Sequence, residues 1–196
     1  MKTESHVEVF PATAERWPDL ELLFGEHGAY ANCWCTFWRI RRSEFGKLTG
    51  EEKKGLLKEW TSLPIAPGVL AYEEGKVVGW CAINPRENLV PLENSRILKR
   101  VDDQPVWSIV CYFIHKAHRK QGVMQALLSG AVDYARQNGA RIVEGYPLDM
   151  QSPPLAGKKL TGYSGFMGIA SAYRRAGFVE VGRASETQLI MRCQVQ

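Results

Sequence analysis

The stretch of sequence that decides the fold reads VWSIVCYFIHKAHRKQGVM over residues 106–124. Residues 106–114 are mostly apolar and predict a buried strand, which leads into a short basic turn. After Gly122, apolar residues recur at three-to-four spacing as far as Ala135 and predict an amphipathic helix. The strand and the basic turn lead into a helix that opens on glycine. Several backbone N–H groups therefore lie at the positive end of the helix dipole. This arrangement predicts a phosphate-binding site.

Length and composition favour a single globular domain over residues 1–196, with 45% hydrophobic and 23% charged residues. The net charge of +4 suits an anionic cofactor and falls short of a dedicated nucleic-acid binder. In the basic segment from Arg86 to Arg100 acidic residues alternate with the cations, which argues against a nucleic-acid partner. The apolar runs are too short to cross a membrane, no signal-peptide core follows Met1, and five cysteines lack framework spacing. We therefore expect a reduced cytoplasmic protein.

The remaining sequence alternates helices and strands around this unit. A capping box at Thr49 and Glu52 predicts the start of a helix that runs through Trp60. Residues 69–83 predict a β-hairpin, whereas residues 84–105 show no regular period. Further strands are predicted at 7–10, 141–146, 178–181 and 187–191, and further helices at 14–24 and 167–176. The order of elements indicates a mixed sheet with helices, an α/β (α+β) domain.

Two segments resemble the signatures of the GNAT superfamily of acetyl-CoA-dependent N-acyltransferases. Residues 119–124, Arg-Lys-Gln-Gly-Val-Met, resemble the motif of Arg or Gln, two residues, Gly, one residue, then Gly or Ala. Residues 171–178, Ser-Ala-Tyr-Arg-Arg-Ala-Gly-Phe, resemble the second signature, a helical tyrosine followed by Gly-Phe. The order of elements is also similar, so the resemblance covers nearly the whole chain. It implies a GNAT-like, mostly antiparallel sheet of six to seven strands with flanking helices and a splayed central strand pair.

The same resemblance implies that acetyl-CoA is the co-substrate. Gly122 has no side chain, so the backbone can approach a pyrophosphate closely. Met124 stands where the family has Gly or Ala, so its side chain must point away from the cofactor. The residues implied to bind acetyl-CoA, through the turn and through the backbone of the preceding strand, are Tyr112, Phe113, Ile114, Arg119, Lys120, Gln121, Gly122, Val123, Met124 and Gln125.

Two residues are candidates for proton transfer. Tyr173 matches the family's tyrosine that protonates the departing CoA thiolate, and the alternative is a tyrosine of the core. Glu144 lies in the predicted strand after the main helix, where some relatives carry a catalytic glutamate that acts as the base. The alternative for Glu144 is an ion pair with a nearby arginine. His115 and a chain of waters are the other candidate bases.

The segment Tyr30 to Trp38 is unusually aromatic for a loop and contains Cys33-Trp34-Cys35. Two cysteines one residue apart, without a second pair, do not form a zinc site, so we expect no metal. In the family the corresponding loop forms a wall of the acceptor pocket. We therefore expect Cys33, Trp34, Trp80 and Tyr146 to bind the acceptor. The alternative is a hydrophobic plug between helices.

The sequence therefore predicts an N-acetyltransferase that acts on a primary amine of a small molecule or peptide, by direct attack in a ternary complex. One alternative is a non-catalytic acyl-CoA sensor of the same fold. Another is an acetyltransferase of protein N-termini or lysines. The terminal hairpin exposes a sheet edge, which allows a homodimer.

Overall fold

The computed structural model describes residues 6–160 and 165–195. The strands are β1 (Val7–Pro11), β2 (Gly68–Glu73), β3 (Lys76–Pro85), β4 (Trp107–Ile114), β5 (Ile142–Gly145), β6 (Val179–Ser185) and β7 (Gln188–Gln194). The α-helices are α1 (Trp17–Phe24), α2 (Arg42–Phe45), α3 (Gly50–Thr61), α4 (Val90–Glu93), α5 (Val123–Gln137) and α6 (Ala170–Arg175). This order confirms the predicted α/β class.

The strands form one seven-stranded sheet in the order β1-β2-β3-β4-β5-β7-β6. Neighbouring strands are antiparallel except for β4 and β5, which pair in parallel between Trp107–Ile109 and Val143–Gly145. β4 continues to Ile114 after this pairing has ended, so the two central strands part. A register shift between β3 and β4 gives Val110 no partner in β3, a bulge that bends β4 close to the parting. The mixed sheet and the splayed central pair agree with the prediction.

Helices cover both faces of the sheet. On one face α5 buries the stripe that its apolar spacing predicts, and α6 packs beside it. On the other face α1, α3 and the aromatic loop bury a second cluster, which includes Trp17, Leu20, Phe24 and Leu57. The gap between β4 and β5 lies between these two layers. Each face is therefore closed by apolar packing, and the ladder of the sheet is interrupted where β4 and β5 part.

Most predicted boundaries agree with the structure within a few residues. The capping box is confirmed, because the Glu52 N–H donates to Thr49 Oγ1 (3.2 Å) and the Thr49 N–H donates to Glu52 Oε2 (2.7 Å). Helix α6 begins at Ala170, three residues after its predicted start at Met167. The preceding residues Gly165–Ile169 form hydrogen bonds to other parts of the chain instead. Strand β3 extends to Pro85, two residues into the segment 84–105 that was predicted to be irregular. The rest of that segment contains a 3-10 turn at Arg86–Asn88 and the short helix α4.

Within residues 6–160 and 165–195, no helix combines the length and the apolar character that a transmembrane span requires.

Candidate active site

The turn before α5 owes its shape to left-handed backbone conformations. Lys120 has a φ of 62° and Gly122 has a φ of 87°, and Gly122 is the N-cap of α5. A Cβ on Gly122 would meet no atom within 4 Å, so glycine is required here for its conformation. The space beside Gly122 is open to an incoming group.

The positive end of α5 faces this open space. The first hydrogen bonds of the helix run from the N–H groups of Gln125 (2.8 Å) and Ala126 (3.1 Å) to the Gly122 carbonyl. The N–H groups of Val123 and Met124 precede them and point out of the helix end. Arg119 and Lys120 are exposed beside them, as is Gln121. The turn therefore combines N–H donors, the helix dipole and two exposed cations, which is what a phosphate needs.

The side chain of Met124 points into the protein. It packs against the core on the α5 face, and its Cε lies 2.5 Å from where a Cβ on Gly168 would be. Its backbone N–H and its side chain therefore have different environments, and the thioether does not block the open space of the turn.

Tyr173 lies on α6, packed against the last residue of β5. Its side chain is fully buried, and its Oη donates to the Met167 carbonyl (3.3 Å) and accepts from Tyr112 Oη (3.3 Å). A Cβ on Gly145 would come within 2.2 Å of the Tyr173 ring, so glycine is required there for space. Burial raises the pKa of Tyr173 and that of Tyr112 above the ordinary tyrosine value. The phenol is thus held rigidly and fully protonated.

The part of β4 that extends beyond β5 carries the residues expected to contact pantetheine. The Tyr112 N–H donates to the Phe166 carbonyl (2.6 Å), and the Ile114 carbonyl accepts from Arg119 Nε (3.0 Å). Phe113 lies opposite Trp80 in β3 and is half-buried. Two backbone groups of this strand are therefore already engaged within the protein.

Glu144, the candidate base, is fully buried in an ion-pair network. Its Oε1 accepts from Arg86 Nη1 (3.0 Å) and from Tyr146 Oη (2.6 Å). Its Oε2 accepts from Arg192 Nε (2.7 Å). The structure thus shows the ion pair that was the alternative reading of this residue. The direct role of Glu144 as a base stays a prediction, because the carboxylate is directed at these partners.

The network fixes the irregular segment between β3 and β4. Arg86 Nη2 donates to the carbonyls of Leu92 (3.2 Å) and Leu98 (2.6 Å). Arg192 Nη1 donates to Asp102 Oδ2 (2.6 Å). Burial opposes the charge of Arg192, but the hydrogen bonds to Asp102 and Glu144 outweigh it and raise its pKa. Sequence patterns do not identify either arginine, because their partners lie far away along the chain.

The aromatic residues expected to bind the acceptor are buried. Trp34 stacks on Trp17 (ring centroids 6.2 Å apart) and contacts Phe24 (5.7 Å), and Trp80 and Tyr146 are fully enclosed. These contacts show the hydrophobic plug that was the alternative reading of the loop. Partly exposed side chains on this face are Cys33, Cys35, Phe37, Cys111 and Phe113.

The cysteines and histidines form no metal cluster in the part of the chain that the structure describes, where no three potential ligands from His, Cys, Asp and Glu come together. Cys35 Sγ and Cys111 Sγ lie 3.5 Å apart as free thiols. His115, the second candidate base, is exposed where β4 ends, beside His118.

A family model and several solved structures match this chain. The model of the acetyltransferase (GNAT) family matches residues 34–152, more than half of the chain. No curated protein sequence matches the chain.

Solved structures similar to the chain share its fold at low identity. One is yncA from Salmonella typhimurium with its cofactor acetyl-CoA, with 14% identity and a TM-score of 0.53 over 97% of this chain and 94% of that chain. Another is a GNAT-family acetyltransferase from Streptococcus pneumoniae, with 16% identity and a TM-score of 0.52 over 97% and 100%. A third is a ribosomal-protein-alanine N-acetyltransferase from Brucella melitensis, with 16% identity and a TM-score of 0.51 over 96% and 99%. Because the family model matches more than half of the chain, the chain belongs to the acetyltransferase (GNAT) family and is an acyltransferase.

Proposed function

We propose that the protein transfers the acetyl group of acetyl-CoA to a primary amine of a small molecule or peptide, by direct attack in a ternary complex. The observation that carries the proposal is the turn before α5, where positive φ angles at Lys120 and Gly122 leave the helix end facing open space. Met124 in the first turn of α5 and Tyr173 both lie against Gly168. The side chain of Met124, which follows the candidate phosphate site, and the ring of the candidate acid therefore lie side by side.

The pyrophosphate of acetyl-CoA binds at the N-terminus of α5 in this proposal. The N–H groups of Gly122, Val123 and Met124 donate to its oxygens, and Arg119 and Lys120 contribute charge. The pantetheine arm then follows the free part of β4, past the backbone of Tyr112, Phe113 and Ile114. Gln121 and Gln125 flank the turn and complete the predicted set.

Tyr173 acts as the acid that protonates the departing CoA thiolate. When the amine nitrogen bonds to the acetyl carbon, the carbon–sulfur bond breaks and the sulfur takes the phenolic proton. The new amide nitrogen loses its extra proton to water, and the Tyr173 phenolate regains one from water. Burial raises the pKa of Tyr173, which keeps the phenol protonated near neutral pH and also makes it a weaker acid toward the thiolate. Backbone N–H groups of β4 polarise the thioester carbonyl.

Glu144 holds the acceptor side of the gap in shape through Arg86 and Arg192. Its carboxylate is fully buried and bound to two guanidinium groups, so we do not place it against the amine here. It is therefore a positioning residue in this proposal, and the amine loses its proton to water at the open end of the gap.

The acceptor binds on the face of β4 that carries the aromatic loop. Cys33 and Cys111 are partly exposed there and can contact the acceptor directly, whereas Trp34, Trp80 and Tyr146 support this wall from behind. A partly enclosed apolar wall favours a small amine over a folded protein surface.

The protein acts in the cytoplasm, without a metal, a membrane or a nucleic acid, in this proposal. A homodimer through edge strand β6 fits the exposed side chains of Val179 and Val181.

The proposal is tested by measuring CoA thiol release from acetyl-CoA over a panel of small amines and peptides, beside calorimetry with acetyl-CoA alone. We expect thiol release that depends on the amine. Binding of acetyl-CoA without release for any amine would support the sensor instead. If acetyl-CoA does not bind, the phosphate-site assignment of the α5 turn is wrong.

A further inference from the structure

Residues Gly165–Ile169, here called the strap, cross the gap between β4 and β5. On one side the Phe166 carbonyl accepts from the Tyr112 N–H of β4 (2.6 Å). On the other side the Gly168 carbonyl accepts from the Leu148 N–H (2.9 Å), just beyond the end of β5. The strap thus occupies the position of a strand where the two central strands part.

The strap also covers Tyr173. The Met167 carbonyl accepts the hydrogen bond from Tyr173 Oη (3.3 Å). Gly168 is packed so closely that a Cβ there would lie 2.9 Å from the Tyr173 ring and 2.5 Å from Met124 Cε. Since Tyr173 is fully buried, no molecule from solvent reaches its hydroxyl while the strap is in this position.

We infer that the strap is a displaceable cover of the thioester site, which acetyl-CoA must move before transfer. The inference rests on the proposed function, in which the pantetheine arm lies along β4 and Tyr173 protonates the sulfur. The Tyr112 N–H is occupied by Phe166, and the Tyr173 proton is directed at Met167. Neither group serves the co-substrate and the strap at once, so the closed form is an inactive form.

Because the strap and CoA compete for the same groups, the direction in which a strap substitution changes CoA affinity can be predicted. When only an open fraction of the molecules binds, the apparent Kd equals the intrinsic Kd divided by that fraction. A substitution that weakens the closed strap therefore strengthens CoA binding. A substitution in an ordinary binding wall would weaken it instead.

Gly168→Ala is the first test, made in the full chain with calorimetry of CoA. Gly168 has a φ of 88°, and its neighbours leave no room for a methyl group, so alanine disfavours the closed strap. We expect the apparent Kd for CoA to fall about 5-fold. Gly157→Ala is the matched control, since Gly157 has a φ of 74° in the same connection but no atom within 4 Å of its Cβ position. It should leave the Kd unchanged.

Phe166→Ala provides a second route that does not depend on backbone strain. The half-buried Phe166 ring packs against the core on the α1 face, and its loss should also lower the Kd. If Gly168→Ala does not fold, as judged by circular dichroism, Phe166→Ala shows whether weakening the strap lowers or raises the Kd for CoA. Folded variants that bind CoA no more tightly than the unchanged protein would overturn the strap inference alone.

Hydrogen–deuterium exchange of the unchanged protein gives an independent reading. In the closed strap the Leu148 N–H donates to the Gly168 carbonyl; displacement frees this N–H, so deuterium uptake by peptides covering Leu148 should rise when CoA is added. Uptake that falls or stays constant in CoA-bound protein would contradict displacement. If neither the unchanged protein nor any variant binds CoA, the proposed function itself fails.

Discussion

Two regions beside the central gap use arginine in opposite ways. The turn before α5 holds Arg119 and Lys120 exposed, next to a helix end with N–H groups available. The Glu144 network holds Arg86 and Arg192 buried, and it pairs them with carboxylates of the protein itself. The turn is built by neighbours in sequence, whereas Glu144 lies 58 and 48 residues from its two arginines. Exposed cations are available to an external anion, and buried cations are part of the framework.

Because of this difference, substitutions in the two regions should change different measured properties. Removing one member of a buried ion pair leaves an uncompensated charge, which costs about 3–5 kcal/mol of folding stability. Exposed groups at a helix end contribute little to folding but contact the ligand directly. Substitutions in the network should therefore change stability first, and substitutions in the turn should change affinity first.

Glu144→Gln has the largest expected effect. It removes the buried carboxylate that Arg86 and Arg192 share, and we expect the free energy of unfolding to fall by about 3 kcal/mol. Urea unfolding measures this loss, with the exposed Glu59→Gln as a control that should unfold like the unchanged protein. A variant with unchanged stability and a rate about 100-fold lower would instead identify Glu144 as the base.

Tyr173→Phe tests the proposed acid. Tyr173 belongs to a local sequence motif, whereas distant parts of the chain bury its side chain. Loss of the phenolic proton should lower kcat about 100-fold at nearly constant KM for acetyl-CoA. Because burial raises the pKa of Tyr173, the unchanged enzyme should keep its acid protonated up to about pH 10.

Tyr134→Phe is the matched control for this substitution. Tyr134 is also buried and donates a 3.3 Å hydrogen bond to a backbone carbonyl, that of Ala66, but it lies away from the gap. Equal losses of kcat in both variants would show that Tyr173 supports only the core.

Gly122→Ala should affect binding more than stability. Alanine is strained at a φ of 87°, so the N–H groups of the turn should reorient and acetyl-CoA affinity should fall about 10-fold. Gly139→Ala is an unusually close control, since Gly139 follows the other end of α5 with a φ of 84° and open space around its Cβ position. Both should lose about 1 kcal/mol of stability. Similar affinities for acetyl-CoA in the two variants would remove the turn from the binding site.

Asp102→Asn should have the smallest effect, because Asp102 is the exposed arm of the network. The hydrogen bond from Arg192 lowers the pKa of Asp102 below its ordinary value of 3.8. Its contribution to stability is therefore present above pH 3.8 and is lost as the pH falls below that value. Thermal unfolding should show a small loss near neutral pH that shrinks in acid. A loss as large as that of Glu144→Gln would mean that the network has no buried centre.

The predictable features are those whose cause lies within a few residues. The capping box of α3, the glycine turn before α5 and the apolar stripe of α5 all follow from local patterns, and the structure has each one. The surroundings of Glu144 could not be predicted, since no local pattern indicates that Arg86 and Arg192 converge on it. The strap escaped prediction for a similar reason, because its carbonyls find their partners in β4 and at Leu148.

The sequence by itself determined the order of the main elements, the family signatures and the place of the glycine turn before α5. Such features depend on side-chain periodicity and on backbone sterics, which act between near neighbours. Only the tertiary structure decided that Glu144 is neutralised in the core, that Trp34 fills a plug and that Tyr173 lies beneath the strap. The physical reason is that burial and pairing depend on what the fold brings together, and a charge or a hydroxyl has its role set by those neighbours.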